Sequence, residues 1–228
     1  MLTVTNLSLR RGERLLFTTL NFQLPAGALL HVRGRNGSGK TTLLRALCGL
    51  LPIEQGDIQW RGQTLTSLAE DYYQDLFFLG HLNGIKGDLT ALENLRVAGR
   101  LTHNFATEIE LQTALNTIGL MNCSDLPTRI LSQGQKKRVA LARLIFSRAA
   151  LWILDEPFTA LDIEAVALVQ QLITNHIKNG GSVILTTHQE VALTSGTLHQ
   201  LDLTDYSPVC TNLNPIHYTT SHSDLLSC

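Results

Sequence analysis

The sequence predicts an α/β fold in three parts: a parallel-sheet core wound around a glycine-rich loop, an antiparallel β subdomain, and a helical subdomain inserted into the core. Three observations predict it. Gly34-Arg35-Asn36-Gly37-Ser38-Gly39-Lys40-Thr41-Thr42 has the spacing G-x-x-x-x-G-K-T; an apolar strand candidate, Leu29-Leu30-His31-Val32, precedes it, and Leu43, Leu44, Leu47 and Leu50 follow at helical spacing. Two apolar runs, Leu151-Trp152-Ile153-Leu154 and Ser182-Val183-Ile184-Leu185-Thr186-Thr187-His188, suit central parallel strands covered on both faces. Between about His81 and Gln135 no strand pattern appears, whereas helix-start signals recur.

In chain order, Leu2, Val4, Leu7 and Leu9 nearly alternate with polar residues, and Leu20, Phe22 and Leu24 do so strictly, which predicts half-exposed antiparallel strands. Pro25-Ala26-Gly27 turns the chain toward the strand that feeds the loop. After the first helix, Pro52 and Gly56 punctuate the chain, Asp57–Gln63 reads as a short strand and turn, and Phe77-Phe78-Leu79 reads as a strand ending at Gly80-His81. Thr90-x-x-Glu93, Thr107-x-x-Glu110 and Ser132-x-x-Gln135 fit the capping box, in which hydroxyl and carboxylate or amide satisfy the first N–H groups of a helix. The last box opens a helix to about Arg148. Ala165, Val166, Leu168, Val169, Leu172, Ile173 and Ile177 form another amphipathic helix, ended by Asn179-Gly180-Gly181. Residues 1–203 therefore read as one domain with a helical subdomain at about 82–135, and 204–228 as a polar, patternless tail expected to be disordered.

Composition narrows the partners. Hydrophobic content of 44% with 16% charged residues describes a globular chain, and a formal net charge of -1 gives no bulk attraction for nucleic acid. The sequence has no run of about 18 apolar residues, so membrane association is expected only through partners. Met1–Asn6 lacks the basic and apolar regions of a secretory leader. Cys48, Cys123, Cys210 and Cys228 lie far apart without C-x-x-C spacing, which argues against a zinc site or disulfide framework and fits a reducing compartment.

The loop points to nucleotide chemistry. Glycines let successive N–H groups turn toward an anion, Lys40 reaches the β and γ phosphates, and Thr41 offers a hydroxyl to Mg²⁺ at the positive end of a helix. Asp155 and Glu156, at the carboxyl end of a central strand, supply what ATP hydrolysis further needs: Asp155 holds Mg²⁺ with Thr41, and Glu156 orients or deprotonates the attacking water. His188 ends a strand expected to neighbour that of Asp155, within reach of the γ-phosphate. Ser132, Gly134 and Gln135 make a second helix start with a glycine that allows close backbone approach to phosphate.

With these residues in hand, the chain resembles the ATP-binding subunits of ABC transporters. Leu131-Ser132-Gln133-Gly134-Gln135 is similar to that family's LSGGQ motif, Thr159-Ala160-Leu161-Asp162 to its D-loop and His188 to its switch histidine, over about Leu2 to Leu203. The resemblance implies a P-loop NTPase core of the ABC ATPase type, ATP and Mg²⁺ as cofactors, and a head-to-tail homodimer in which each loop, Gly34 to Thr42, faces the Ser132–Gly134 helix of the other protomer. The chain departs from the family at three places. Gln133 replaces the first glycine of LSGGQ, His81 stands where the family has its Q-loop glutamine, and Arg10-Arg11-Gly12 stands where an aromatic stacks on adenine. An imidazole at His81 offers similar hydrogen bonds at the nucleotide, and an arginine plane also stacks.

The stretch from Gly80 to Leu95 is similar to the haem-exporter ATPases of cytochrome c maturation, the CcmA type. That likeness implies integral membrane partners of CcmB and CcmC type, a place on the cytoplasmic face of the bacterial inner membrane, and haem export or release of haem-loaded chaperone as the task. An ATPase for another cargo, a soluble ABC-type ATPase acting on ribosomes or DNA, and a weakly active scaffold are the alternatives that the residues leave open.

Overall fold

The computed structural model describes residues 1–68, 70–101, 106–189 and 197–207. Its strands are β1 (Leu2–Arg11), β2 (Arg14–Leu24), β3 (Ala28–Arg33), β4 (Gln55–Trp60), β5 (Gln63–Thr64), β6 (Leu76–Leu79), β7 (Leu151–Asp155), β8 (Ser182–Thr186) and β9 (Thr197–Asp202). Its helices are α1 (Lys40–Leu47), α2 (Leu65–Leu68), α3 (Glu70–Asp75), α4 (Ala91–Leu101), α5 (Glu108–Thr117), α6 (Gln133–Phe146) and α7 (Ile163–Lys178).

The strands sort into two sheets. An antiparallel sheet has the order β2-β1-β4-β5, and a parallel sheet the order β6-β7-β8-β3-β9. Period-two alternation sends the side chains of the parallel strands to two different cores. Leu30, Val32, Leu151, Ile153 and Ile184 face α1 and the antiparallel sheet, and the core there includes Leu2, Phe17, Leu20 and Leu43. Leu29, Trp152, Leu154, Val183 and Leu185 face α6 and α7. Each such fully buried leucine or isoleucine contributes about 2 kcal/mol. A third core joins α4, α5 and the opposite side of α6 through Leu95, Leu111, Leu115 and Val139. Helix α6 therefore belongs to both the sheet and the helical subdomain.

All three capping boxes form. Thr90 N donates to Glu93 Oε2 at 2.8 Å and Glu93 N to Thr90 Oγ1 at 3.1 Å; the boxes at Thr107 and Ser132 close in the same reciprocal way. Among the described residues of the 82–135 stretch the only bridge is the isolated pair Thr90 and Pro127, so the region is helical as expected.

Some boundaries differ from the expectations. β2 begins at Arg14, because bulges between Val4 and Leu7 and between Leu7 and Leu9, with Thr19 at φ 52°, break the alternation that marks only its second half. α6 ends at Phe146 rather than Arg148, where Ser147 turns extended, and β8 ends at Thr186 rather than His188. β9 has no sequence signature: it is an edge strand in which Leu201 alone is buried, so apolar residues do not mark its register. The expected tail starts late. Leu203–Tyr206 forms a 3-10 turn, Asp202 Oδ1 accepts from Thr204 N at 2.9 Å and from Thr204 Oγ1 at 2.6 Å, and Tyr206 packs on the first core. The rest of the tail, 208–228, with Cys210 and Cys228, lies outside the described residues.

Candidate active site

The glycine-rich loop joins β3 to α1, and its glycines are required by the backbone. Gly34, Gly37 and Gly39 have φ of 143°, 79° and 102°, a region that side chains with a Cβ rarely adopt. A Cβ on Gly34 would stand 2.6 Å from Ser38 Oγ, and one on Gly39 would press 3.1 Å from Leu16 Cδ1 and 3.2 Å from the buried Phe17 ring. Gly39 caps α1 without a side-chain hydrogen bond, so the first N–H groups of the helix are left to an anion. Lys40 Nζ lies across the loop and donates to the Gly34 carbonyl at 2.8 Å and the Arg35 carbonyl at 3.3 Å. The Ser38 hydroxyl is buried without a partner.

The acidic pair reaches the same place through strand register. β7 and β8 are parallel neighbours with Asp155 opposite Thr186. Asp155 is 2% exposed and both its oxygens accept: Oδ2 from Thr41 Oγ1 at 2.8 Å, Oδ1 from Thr186 Oγ1 at 2.8 Å. The Thr186 hydroxyl also accepts from Glu156 N at 3.0 Å. Glu156 sits at φ 50°, a left-handed backbone that a residue with a side chain adopts at a cost of about 1 kcal/mol or more, and functional sites gather such strain. Its Oε1 is buried without a hydrogen bond; His188 Nε2 stands 3.5 Å away and completes none. A buried carboxylate oxygen without a donor is costly unless another molecule satisfies it.

These residues line one cleft of about 540 Å³, formed by Asn36, Gly37, Gly39, Lys40, Thr41 and Thr42 on one wall and by His81, Asp155, Glu156, Thr159 and His188 on the other, with Arg11 and Arg14 at its edge. Gly34 and Arg35 instead line a neighbouring cleft of about 1010 Å³ with Arg33, Gln200 and Asp202; Asn36, Lys40 and His188 border both. Ser132, Gly134 and Gln135 do not line the first cleft. The start of α6 abuts the loop after Glu156, where a Cβ on Gly134 would come within 3.0 Å of the Ala160 carbonyl, and Arg138 forms an ion pair with Asp162. Gln133 is exposed at the first position of the helix.

Thr159, in the stretch similar to the D-loop, lines the cleft; Thr186 also belongs to the site and escapes the sequence reading, since it lies in a pattern that spacing does not distinguish from an ordinary strand end. Thr41 and Asp155 present a hydroxyl and a carboxylate side by side, the hard oxygen donors that Mg²⁺ takes together with phosphate oxygens, so the donor set fits that ion.

Over residues 17–159 the chain matches the family described as ABC transporter. It is 49% identical over 203 residues to the cytochrome c biogenesis ATP-binding export protein CcmA of Dechloromonas aromatica (strain RCB), covering 89% of this chain and 100% of that protein. It is 50% identical over 203 residues to the protein of the same name from Nitrosomonas europaea, covering 89% and 95%. A solved structure described as the dimeric, post-hydrolysis state of the ATP-binding cassette MJ0796 bound to ADP and Pi has the same fold, with a TM-score of 0.73 at 23% identity over 83% of this chain and 88% of that one. With a family match spanning more than half its length and relatives at half identity over nearly all of theirs, this chain belongs to the ABC transporter family as an ATP-binding subunit.

Proposed function

We propose that the chain is the ATP-hydrolysing subunit of a membrane ABC complex in cytochrome c maturation, coupling ATP binding and hydrolysis to haem export or to release of haem-loaded chaperone. The observation that carries the ATPase reading is the meeting of Lys40, Thr41, Asp155 and Glu156 in one cleft. The biogenesis reading rests on the relatives, named as cytochrome c biogenesis ATP-binding export proteins over the full length of one of them.

The chemistry follows from the chain's own atoms. Backbone N–H groups of the loop and the start of α1 take the phosphates, and Lys40 Nζ exchanges its two loop carbonyls for the β and γ oxygens, a gain because a charged acceptor binds an ammonium more strongly than a carbonyl does. Thr41 and Asp155 would hold Mg²⁺, which would neutralise phosphate charge when bound. Glu156 Oε1 accepts a proton of the attacking water and fixes its direction. His188, beside Glu156, donates to the γ-phosphate, and His81, following β6, contributes a second imidazole at the cleft wall.

In this reading Ser132, Gly134 and Gln135 serve the nucleotide of a second protomer in a head-to-tail homodimer; what supports it is that a solved structure of like fold is described as dimeric. Among the described residues no helix is long and apolar enough to cross a membrane. Attachment to the cytoplasmic face of the inner membrane is through integral subunits of CcmB and CcmC type, with the surface from His81 to Thr90 as the docking region.

The test is purification from membranes in the native host, with the bound subunits identified and turnover compared between wild type and Glu156→Gln. The expected result is recovery of small integral membrane subunits and a fall in ATP turnover of roughly 100-fold or more in the variant. Recovery with ribosomes or DNA, or turnover indifferent to Glu156→Gln, would overturn the reading.

A further inference from the structure

Strand β8 ends at Thr186, yet the imidazole of His188 comes within 3.5 Å of Glu156 Oε1. The chain leading to it is held at each residue. Thr186 Oγ1 donates to Asp155 Oδ1 and accepts from Glu156 N. Thr187 Oγ1 accepts from Gln189 N at 3.1 Å, which closes a turn around His188. The Thr187 carbonyl meets a side chain of the neighbouring strand, with His31 Nε2 3.3 Å away. A carbonyl only accepts, so Nε2 carries the proton. His31 is the polar member of the run Leu29-Leu30-His31-Val32, whose other residues are buried in the two sheet cores. Register places it opposite Leu185, and alternation turns it to the face of Leu29, where it borders the neighbouring cleft with Thr187 and His188. Burial holds its pKa below the usual imidazole range, against the Thr187 bond, so the ring is neutral at neutral pH and its single proton is the one in the bond.

We propose that His31 is a positioning residue for hydrolysis: by donating its Nε2–H to the Thr187 carbonyl it fixes the chain at the end of β8 and aims the His188 imidazole at Glu156 and the phosphate cleft. The inference rests on the ATPase reading above and on the contact given there to His188. His31 is not among the residues that line the phosphate cleft, so it reaches hydrolysis through this carbonyl rather than through nucleotide. The bond also discriminates among side chains. The Nε2 atoms of histidine and glutamine stand at similar reach from the backbone, whereas the asparagine amide matches only Nδ1. A variant that keeps a donor at that reach keeps His188 in place, and one that fills the same space without a donor lets it drift.

The experiment compares full-length wild type, His31→Phe, His31→Asn, His31→Gln, His188→Ala and the double variant of His31→Phe with His188→Ala. It measures kcat and KM for ATP, thermal melting, and heteronuclear NMR spectra of the imidazole rings. His31→Phe is expected to lower kcat roughly 10-fold with KM within about two-fold of wild type, and His31→Gln to restore most of kcat. In the His188→Ala background His31→Phe should add little further loss, because it acts through that ring. The His31 ring should be the Nε2–H tautomer, and the His188 signals should shift in His31→Phe and stay in place in His31→Gln. If His31→Phe does not fold, His31→Asn against His31→Gln makes the same comparison. Wild-type kcat in a folded His31→Phe or His31→Asn protein would overturn the proposal, as would an equal loss with and without His188, or an Nδ1–H tautomer. Turnover indifferent to His188→Ala would remove the role of His188, and this inference with it, while leaving the ATPase reading; turnover indifferent to Glu156→Gln would remove both.

Discussion

Thr41 Oγ1 donates a 2.8 Å hydrogen bond to Asp155 Oδ2 across 114 residues of sequence. The bond joins the first turn of α1 to the end of β7, two elements packed in the same core, and it brings together the hydroxyl and the carboxylate assigned to Mg²⁺. Thr41→Val and Asp155→Asn are each expected to lower Mg²⁺-dependent turnover roughly 10- to 100-fold, while ATP binding measured in EDTA is retained. Because both act on one site, the double variant should cost less than the product of the two, which a Mg²⁺ titration of ATPase rate in all four proteins checks.

Thr186 serves Asp155 and Glu156 at once, donating to the first and accepting from the backbone N–H of the second. Thr186→Val keeps the shape and strands both partners in a buried place. The expected loss is about 2 kcal/mol of stability by denaturant unfolding, together with slower turnover. Thr186→Ser keeps the hydroxyl and should recover both.

His176 stacks on Trp152 at 3.8 Å with the rings 6° from parallel, and its Nε2 is buried without a partner. Burial lowers its pKa to about 4, against bonds to the backbone of Ser182 and Ala150 that raise it. Since the unfolded chain takes up the proton near pH 6.5 and the folded one does not until about pH 4, stability from this ring is full above pH 6.5 and falls as pH drops through that window. Wild type should lose roughly 2 kcal/mol more than His176→Phe between pH 6.5 and 4, the shift being discounted for partial exposure of the ring. Parallel melting curves at matched pH values measure that difference; equal slopes would reject the assignment.

Lys86 is exposed on a segment whose backbone is held independently of its side chain. Asn94 accepts from Lys86 N at 2.8 Å and donates to its carbonyl at 3.0 Å, and Thr128 Oγ1 donates to the same carbonyl at 2.8 Å. Lys86→Glu should therefore fold and bind nucleotide as wild type does, yet co-purify less well with the membrane subunit. Loss of nucleotide binding as well would count against docking at this surface.

Much of the site was legible because its signals are local. The capping boxes at Thr90, Thr107 and Ser132 are bonds between a residue and the third one after it, so their spacing is written in consecutive letters. The loop from Gly34 to Thr42 is similarly self-contained, since its glycines answer backbone angles and its lysine bonds its own carbonyls. β9 was not legible: its place beside β3 is set by pairing along an exposed edge, which leaves one buried side chain to mark it. The 3-10 turn at Leu203–Tyr206 was hidden for the same reason, as Asp202 and the first core hold it rather than any periodic pattern.

By itself the sequence determined which residues are able to hold phosphate, which start helices, and which runs of apolar side chains must be covered on both faces. Only the tertiary structure decided that Thr41, Asp155, Thr186 and Glu156 meet, that Gly34 and Arg35 border a second cleft, and that Lys137 is buried. Those relations depend on the register of β7 against β8 and on the face that α6 turns to the sheet. Register and helix rotation are chosen by burial summed over whole elements, a quantity that no short motif contains.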